Sequence, residues 1–141
     1  MKNVFVDTDV LIDFLIDREP FATEAAKILT YAEKGLVNCH ISSMCFSNIF
    51  YITRKVHGKK EALALIKRLE TVVETLTVDK NTIRQALVSN FSDFEDAIQN
   101  YCAKQEGLGI IITRNIKDFS KSELSIYTPE SYLKAIEKNL K

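Results

Sequence analysis

With 141 residues, 46% of them hydrophobic, the chain has the length and the apolar material for one core, and a single domain over residues 1–141 is expected. Nineteen basic side chains stand against nineteen acidic ones, so overall charge gives no case for a nucleic-acid partner. No run approaches the roughly 18 consecutive apolar residues that span a bilayer, and the start MKNVFVDTDV carries an aspartate where an export signal stays apolar; membrane insertion is thereby excluded and a soluble, cytoplasmic protein is expected.

Taken in chain order, Asn3–Val6 reads as a buried strand and Val10–Ile16 as a helix that stops before Pro20, because a residue preceding proline disfavours helical geometry. A second helix opens at Pro20, carries Phe21, Ala25, Ala26, Ile28, Leu29 and Ala32 at helical spacing, and ends near Gly35. A strand over Val37–Ile41 leads to Ser42 and Ser43, either of which can cap a third helix. In that helix Met44, Phe46, Ile49, Phe50 and Ile52 leave little polar face before Arg54, so it is expected to be largely buried. Glu61–Thr71 reads as an amphipathic helix, Val72–Val78 as a strand, and Asp79–Val88 as a helix with an acidic cap. Then follow a helix over Asp93–Gln105, a β-branched strand over Gly109–Thr113, a weaker strand over Ser125–Tyr127 and a closing helix over Pro129–Lys138. Strands alternating with helices predict a parallel sheet covered by helices on both faces.

Cys39, Cys45 and Cys102 are odd in number, widely spaced and set among apolar neighbours, which predicts reduced, buried thiols. His40 and His57 lack the spacing of a zinc site, so any metal is expected to be held by oxygen. Charge is unevenly spread. Asp7, Asp9, Asp13 and Asp17 crowd the start, while Arg54, Lys55, Lys59, Lys60, Lys67 and Arg68 form a basic middle third, which suits a solvated helix face and a phosphate-binding surface equally well.

In open parallel sheets, ligands bind beyond the carboxyl ends of the strands. Asp7 and Asp9 follow the first strand, Ser42 and Ser43 the second, and Thr113, Arg114, Asn115 and Asp118 the strand G-I-I-I-T. Asp93 and Asp96, three apart, share one face of a helix from which Phe94 and Ala97 can turn to the core. Singly, Asp7 and Asp93 could be helix caps and Asp118 part of a solvated turn. Together, converging carboxylates repel one another unless a hard cation such as Mg²⁺ or Mn²⁺ neutralises them, and such a cation can activate water against a phosphodiester.

The segments V-F-V-D-T-D-V-L-I-D, I-S-S-M-C-F-S-N-I-F-Y-I, D-F-E-D-A-I-Q and I-I-I-T-R-N-I-K-D-F, in that order, resemble the PIN-domain nucleases, including the VapC-like toxins, over nearly the whole chain. The resemblance implies a three-layer α/β/α sandwich around a mostly parallel sheet, a Mg²⁺ or Mn²⁺ cofactor, single-stranded RNA as substrate, a homodimer, and a small antitoxin protein as partner. Carried over position by position, Asp7 and Asp96 match the two central metal-binding aspartates, and Asp118 or the neighbouring Asn115 the C-terminal polar position. Asp93 joins the metal set, while Asp9, Ser43, Thr113 and Arg114 fall to the substrate. The departure is Asn48, which stands where the family usually carries a glutamate. An amide can orient water but brings no charge and accepts no proton at neutral pH. Asn48 also admits a structural role within a buried polar network.

The resemblance therefore implies a metal-dependent endoribonuclease, with Asp7, Asp96, Asp118, Asn48 and Asn115 at the reacting phosphate. The alternative is a PIN-fold module that binds RNA or protein with little catalysis. A phosphate-handling enzyme for small molecules fits the acidic edge but lacks a glycine loop to cradle phosphate.

Overall fold

A computed structural model describes residues 1–140. Five strands, β1 (Asn3–Val6), β2 (Asn38–Ser42), β3 (Glu74–Leu76), β4 (Ile110–Ile112) and β5 (Ser125–Tyr127), form one sheet in the order β3-β2-β1-β4-β5, with every pair parallel. Seven helices cover it: α1 (Thr8–Leu15), α2 (Phe21–Glu33), α3 (Cys45–His57), α4 (Lys59–Val72), α5 (Lys80–Leu87), α6 (Phe94–Gln105) and α7 (Pro129–Leu140). The expected three-layer α/β/α architecture is the one observed.

The alternation of side chains along each strand divides the core in two. Val4, Val6, Ile41 and Ile112 face one way, into a cluster with residues of α1, α2, α3, α4 and α7. Phe5 and Ile111 face the other way, against Cys102 and Ala103 of α6, and α5 packs beside α6 through Ala86 and Ile98. Because β1 has β2 on one side and β4 on the other, the sheet reverses its winding between β1 and β4, and a crevice opens beyond the ends of these two strands.

Most elements lie within two residues of their expected limits, and Asp79 caps α5 as expected, accepting the Thr82 amide at 3.0 Å. Three expectations need correction. The helix α3 is not largely buried: only Cys45, Ile49 and Thr53, one stripe at four-residue spacing, are covered, while Tyr51 and Val56 stand exposed. A helix lying flat on one face of a sheet hides one stripe, and apolar residues off that stripe remain outside. Phe94, which was free to turn to the core, is instead 49% exposed at the first position of α6, whereas Ala97 is buried. The strand expected over Val72–Val78 shrinks to Glu74–Leu76, since Val72 closes α4. A short 3-10 helix, Ile116–Phe119, was not foreseen.

The three cysteines are free and buried, as expected. No helix among the described residues is long and apolar enough to cross a membrane.

Candidate active site

Asp7 is the first residue beyond β1. Its amide donates to the Ile112 carbonyl of β4 at 2.9 Å, which seats it at the crevice where the sheet changes direction. The residue is only 2% exposed. It stands at the N-cap position of α1, yet its side chain makes no capping bond. Instead Gln99 Nε2 donates to Oδ1 at 2.8 Å and Thr113 Oγ1 donates to Oδ2 at 2.7 Å, so both carboxylate oxygens are held by neutral donors from α6 and from the end of β4. Gln99 is itself fixed, its Oε1 accepting the Thr8 amide at 3.1 Å and the Thr8 hydroxyl at 3.2 Å.

The neighbours of Asp7 are acidic. Burial pushes the Asp7 carboxyl up to about 6, and the charges of Asp9 and Glu95 push the same way against the lowering effect of the Thr113 and Gln99 bonds. Asp96 is pushed up to about 7, first by burial and then by Asp7, Asp93, Asp118 and Asp9. Asp7, Asp9, Asp93 and Asp118, from three segments of the chain, thus lie near enough to Asp96 for their charges to act on it. Glu95, which drew no attention in the sequence, belongs to the group: burial raises it, followed by the repulsion of Asp93 and Asp9.

The members hold their places differently. Asp93 is the N-cap of α6 and accepts the Asp96 amide at 2.9 Å. Asp9, on the first turn of α1, accepts from Asn115 Nδ2 at 2.9 Å, and the Asn115 amide donates to Thr113 Oγ1 at 3.0 Å. Asp118 is exposed on the 3-10 helix. Asn48 is exposed on α3, so it does not sit in a buried polar network; it lines an open groove with Thr8, Tyr51, Glu95 and Gln99.

Three residues assigned to the substrate in the sequence are occupied within the chain. Thr113 is spent on Asp7. Ser43 Oγ accepts the Val78 amide at 3.3 Å and so ties the ends of β2 and β3 together. Arg114 grips Asp13 with two bonds, Nε to Oδ2 at 2.6 Å and Nη2 to Oδ1 at 3.1 Å, and its guanidinium lies 4.1 Å from the centre of the Phe21 ring. A guanidinium so engaged fastens the loop after β4 to α1 and is not free for a phosphate. Gln99 was the residue missed, although its place three positions after Asp96, on the same helix face, was a usable signal.

The groups around Asp7 that could ligate a metal are carboxylate oxygens, and the thiols cannot compete: burial pushes Cys39 and Cys45 up to about 12 and Cys102 up to about 11. Among the described residues no three of His, Cys, Asp and Glu form a ready-made metal cage. An open set of carboxylates suits a hard cation that keeps much of its water and is held by one or two carboxylates, as Mg²⁺ characteristically is.

A family model described as "PIN domain" matches residues 3–117. Ribonuclease VapC1 of Aquifex aeolicus is 29% identical over 139 residues, an alignment covering 93% of both chains. Among solved structures, DNA-bound VapBC from Salmonella typhimurium aligns with a TM-score of 0.68 at 18% identity, over 92% of this chain and 99% of that one. VapC20 of Mycobacterium tuberculosis, described as a sarcin-ricin loop cleaving toxin, aligns with a TM-score of 0.62 at 19% identity, over 77% and 86% of the two chains.

Proposed function

Because the chain belongs to the PIN-domain family, we propose that it is a Mg²⁺- or Mn²⁺-dependent endoribonuclease acting on single-stranded RNA, the toxin of a toxin–antitoxin pair. The observation that carries this reading is the buried Asp7 carboxylate, bonded only to neutral donors while Asp9, Glu95 and Asp96 crowd it. Such a group favours a cation from outside the chain. Asp7 and Asp96 are the proposed central ligands, with Asp118 and Asp93 completing the acidic rim. A bound divalent ion supplies a Lewis acid for the phosphate and lowers the pKa of water. The chain's own part is positional: Gln99 and Thr113 fix both oxygens of Asp7, and Asp9 holds Asn115 at the mouth of the crevice. Asn48 lines the groove beside the carboxylates as a neutral group.

An antitoxin partner is supported by the VapBC assembly named above, and its basic side chain placed among these carboxylates would relieve the same repulsion as a metal. A homodimer is proposed on the family resemblance, and light scattering tests it: a monomer at high micromolar concentration would reject it.

The deciding experiment is cleavage of a labelled single-stranded RNA with Mg²⁺, with Mn²⁺ and with EDTA, the native protein beside Asp7→Asn. Cutting that needs the cation and Asp7 is expected. RNA bound but never cut with either ion would instead establish a PIN-fold binding module.

A further inference from the structure

The groove that Asn48 lines has a volume of about 500 Å³ and runs between α3 and α6. Two of its lining residues, Thr8 and Gln99, are those that bond to each other and, through Gln99, to Asp7, so one end opens on the carboxylates. Tyr51 of α3 also lines it, 53% exposed, although a large aromatic ring loses by staying in water. The Lys55 ammonium lies 4.6 Å and the Arg54 guanidinium 5.2 Å from the centre of this ring. Neither cation pairs with a carboxylate among the described residues.

Charge is distributed accordingly. The helix α3 contains no acidic residue, and Arg54, Lys55, Lys59 and Lys60 all precede the next acid, Glu61, in a chain whose charges balance overall. On the opposite wall Glu95 repels phosphate. A nucleotide chain in this groove therefore has only one favourable orientation for its backbone, along α3.

We propose that Tyr51, Arg54 and Lys55 form a subsite for one nucleotide of a single-stranded RNA, with the base stacked on the Tyr51 ring and the phosphate against the two cations, while the strand continues past Asn48 to the carboxylates. This rests on the ribonuclease reading and adds to it where the strand lies. A ring attended by exposed cations suits single-stranded nucleic acid, which combines base stacking with phosphate neutralisation. It suits a second copy poorly, since a two-fold contact through this face would bring like charges together.

The test uses a single-stranded oligoribonucleotide containing 2-aminopurine, whose fluorescence falls on stacking, titrated with the native protein in EDTA so that no cleavage is involved. Tyr51→Phe is expected to keep affinity and quenching. Tyr51→Leu should lose the quenching and roughly tenfold in affinity, within the usual range for base–aromatic stacking. Replacing Arg54 and Lys55 together by Gln should flatten the salt dependence, by about 0.7 in logarithmic slope for each phosphate no longer neutralised. Unchanged affinity and quenching in Tyr51→Leu would overturn the subsite. So would a drop in mass from dimer to monomer by light scattering that accounts for the whole loss of binding, because the face would then belong to a second copy. An oligonucleotide held through Tyr51 but not cut in Mn²⁺ would leave the subsite standing and remove the nuclease; cutting with an unaltered KM in Tyr51→Leu would do the reverse.

Discussion

Asp7 and Asp13 lie six residues apart and are equally hidden, 2% and 1% exposed, but their surroundings are opposite. Asp13 is neutralised from within: Arg114 takes both its oxygens, and Arg18 adds a contact at 3.3 Å. Asp7 receives only the amide of Gln99 and the hydroxyl of Thr113, and the charges around it are negative. A buried carboxylate balanced by arginine is a fastening. One that the fold orients but leaves uncompensated is a candidate for chemistry rather than for fastening.

The largest expected difference follows from exchanging each aspartate for asparagine. Asp7→Asn should reduce metal-dependent RNA cleavage by on the order of a thousandfold, several kcal/mol of transition-state stabilisation, while the melting temperature in EDTA stays level or rises. Asp13→Asn should cost about 3 kcal/mol, the low end for breaking a buried pair, because both arginines are partly exposed and can rehydrate. That corresponds to a fall in melting temperature of roughly 10 °C. Equal destabilisation by the two changes, read from thermal melts, would break the contrast.

The pH dependence sharpens it. The Asp7 carboxyl rises from an ordinary 3.8 to about 6, so between those values the native protein holds a proton that the unfolded chain has released. The favourable contribution is full below about pH 3.8 and lost as pH climbs through 6, which from Asp7 alone removes on the order of 1 kcal/mol between pH 5 and pH 7.5. Asp96 acts in the same direction. Urea denaturation in EDTA at the two pH values should show the loss, saturating Mg²⁺ should cancel it, and Asp7→Asn should flatten it; a flat native profile would contradict the assigned environment.

Gln99→Met keeps the volume but removes the bond that orients Asp7 and the two that tie Gln99 to Thr8. A fall of about 10- to 100-fold in Mn²⁺ affinity is expected, the usual effect of removing a group that orients a ligand. Calorimetric titration reads it directly, and native affinity in the variant would mean that Asp7 needs no guide. The smallest effect is expected for Asn48→Glu. The added charge should tighten Mn²⁺ by a few-fold at low salt and vanish near 1 M salt, because the position is exposed and screened. Unchanged affinity at low salt would place Asn48 outside the reach of the ion.

The alternation of strands and helices was legible, because β-branched runs such as Ile110–Ile112 and capped starts such as Asp79 carry local signals. Asp7, Asp9 and Asp118 were legible as candidates because they follow strand ends, and Asp93 and Asp96 because they open a helix three residues apart. Their division of labour was not. Asp7, Asp9 and Asp13 look alike in sequence, and only the pairing of β1 with β4 brings Thr113 to one of them and Arg114 to another. The burial of α3 was misjudged for a related reason: composition counts apolar residues but not which stripe the sheet will cover.

The bonds that set Asp7 join residue 7 to residues 99 and 113, separations of 92 and 106 positions. Contacts so distant in sequence close late and slowly, after the more local elements have formed. On a ribosome, a growing chain that had already folded its first two strands and four helices would still present Asp7 without Gln99, Thr113 or the β4 edge. Formation of the crevice is therefore timed by topology: Asp7 stays without the groups that orient it through most of the chain's own synthesis.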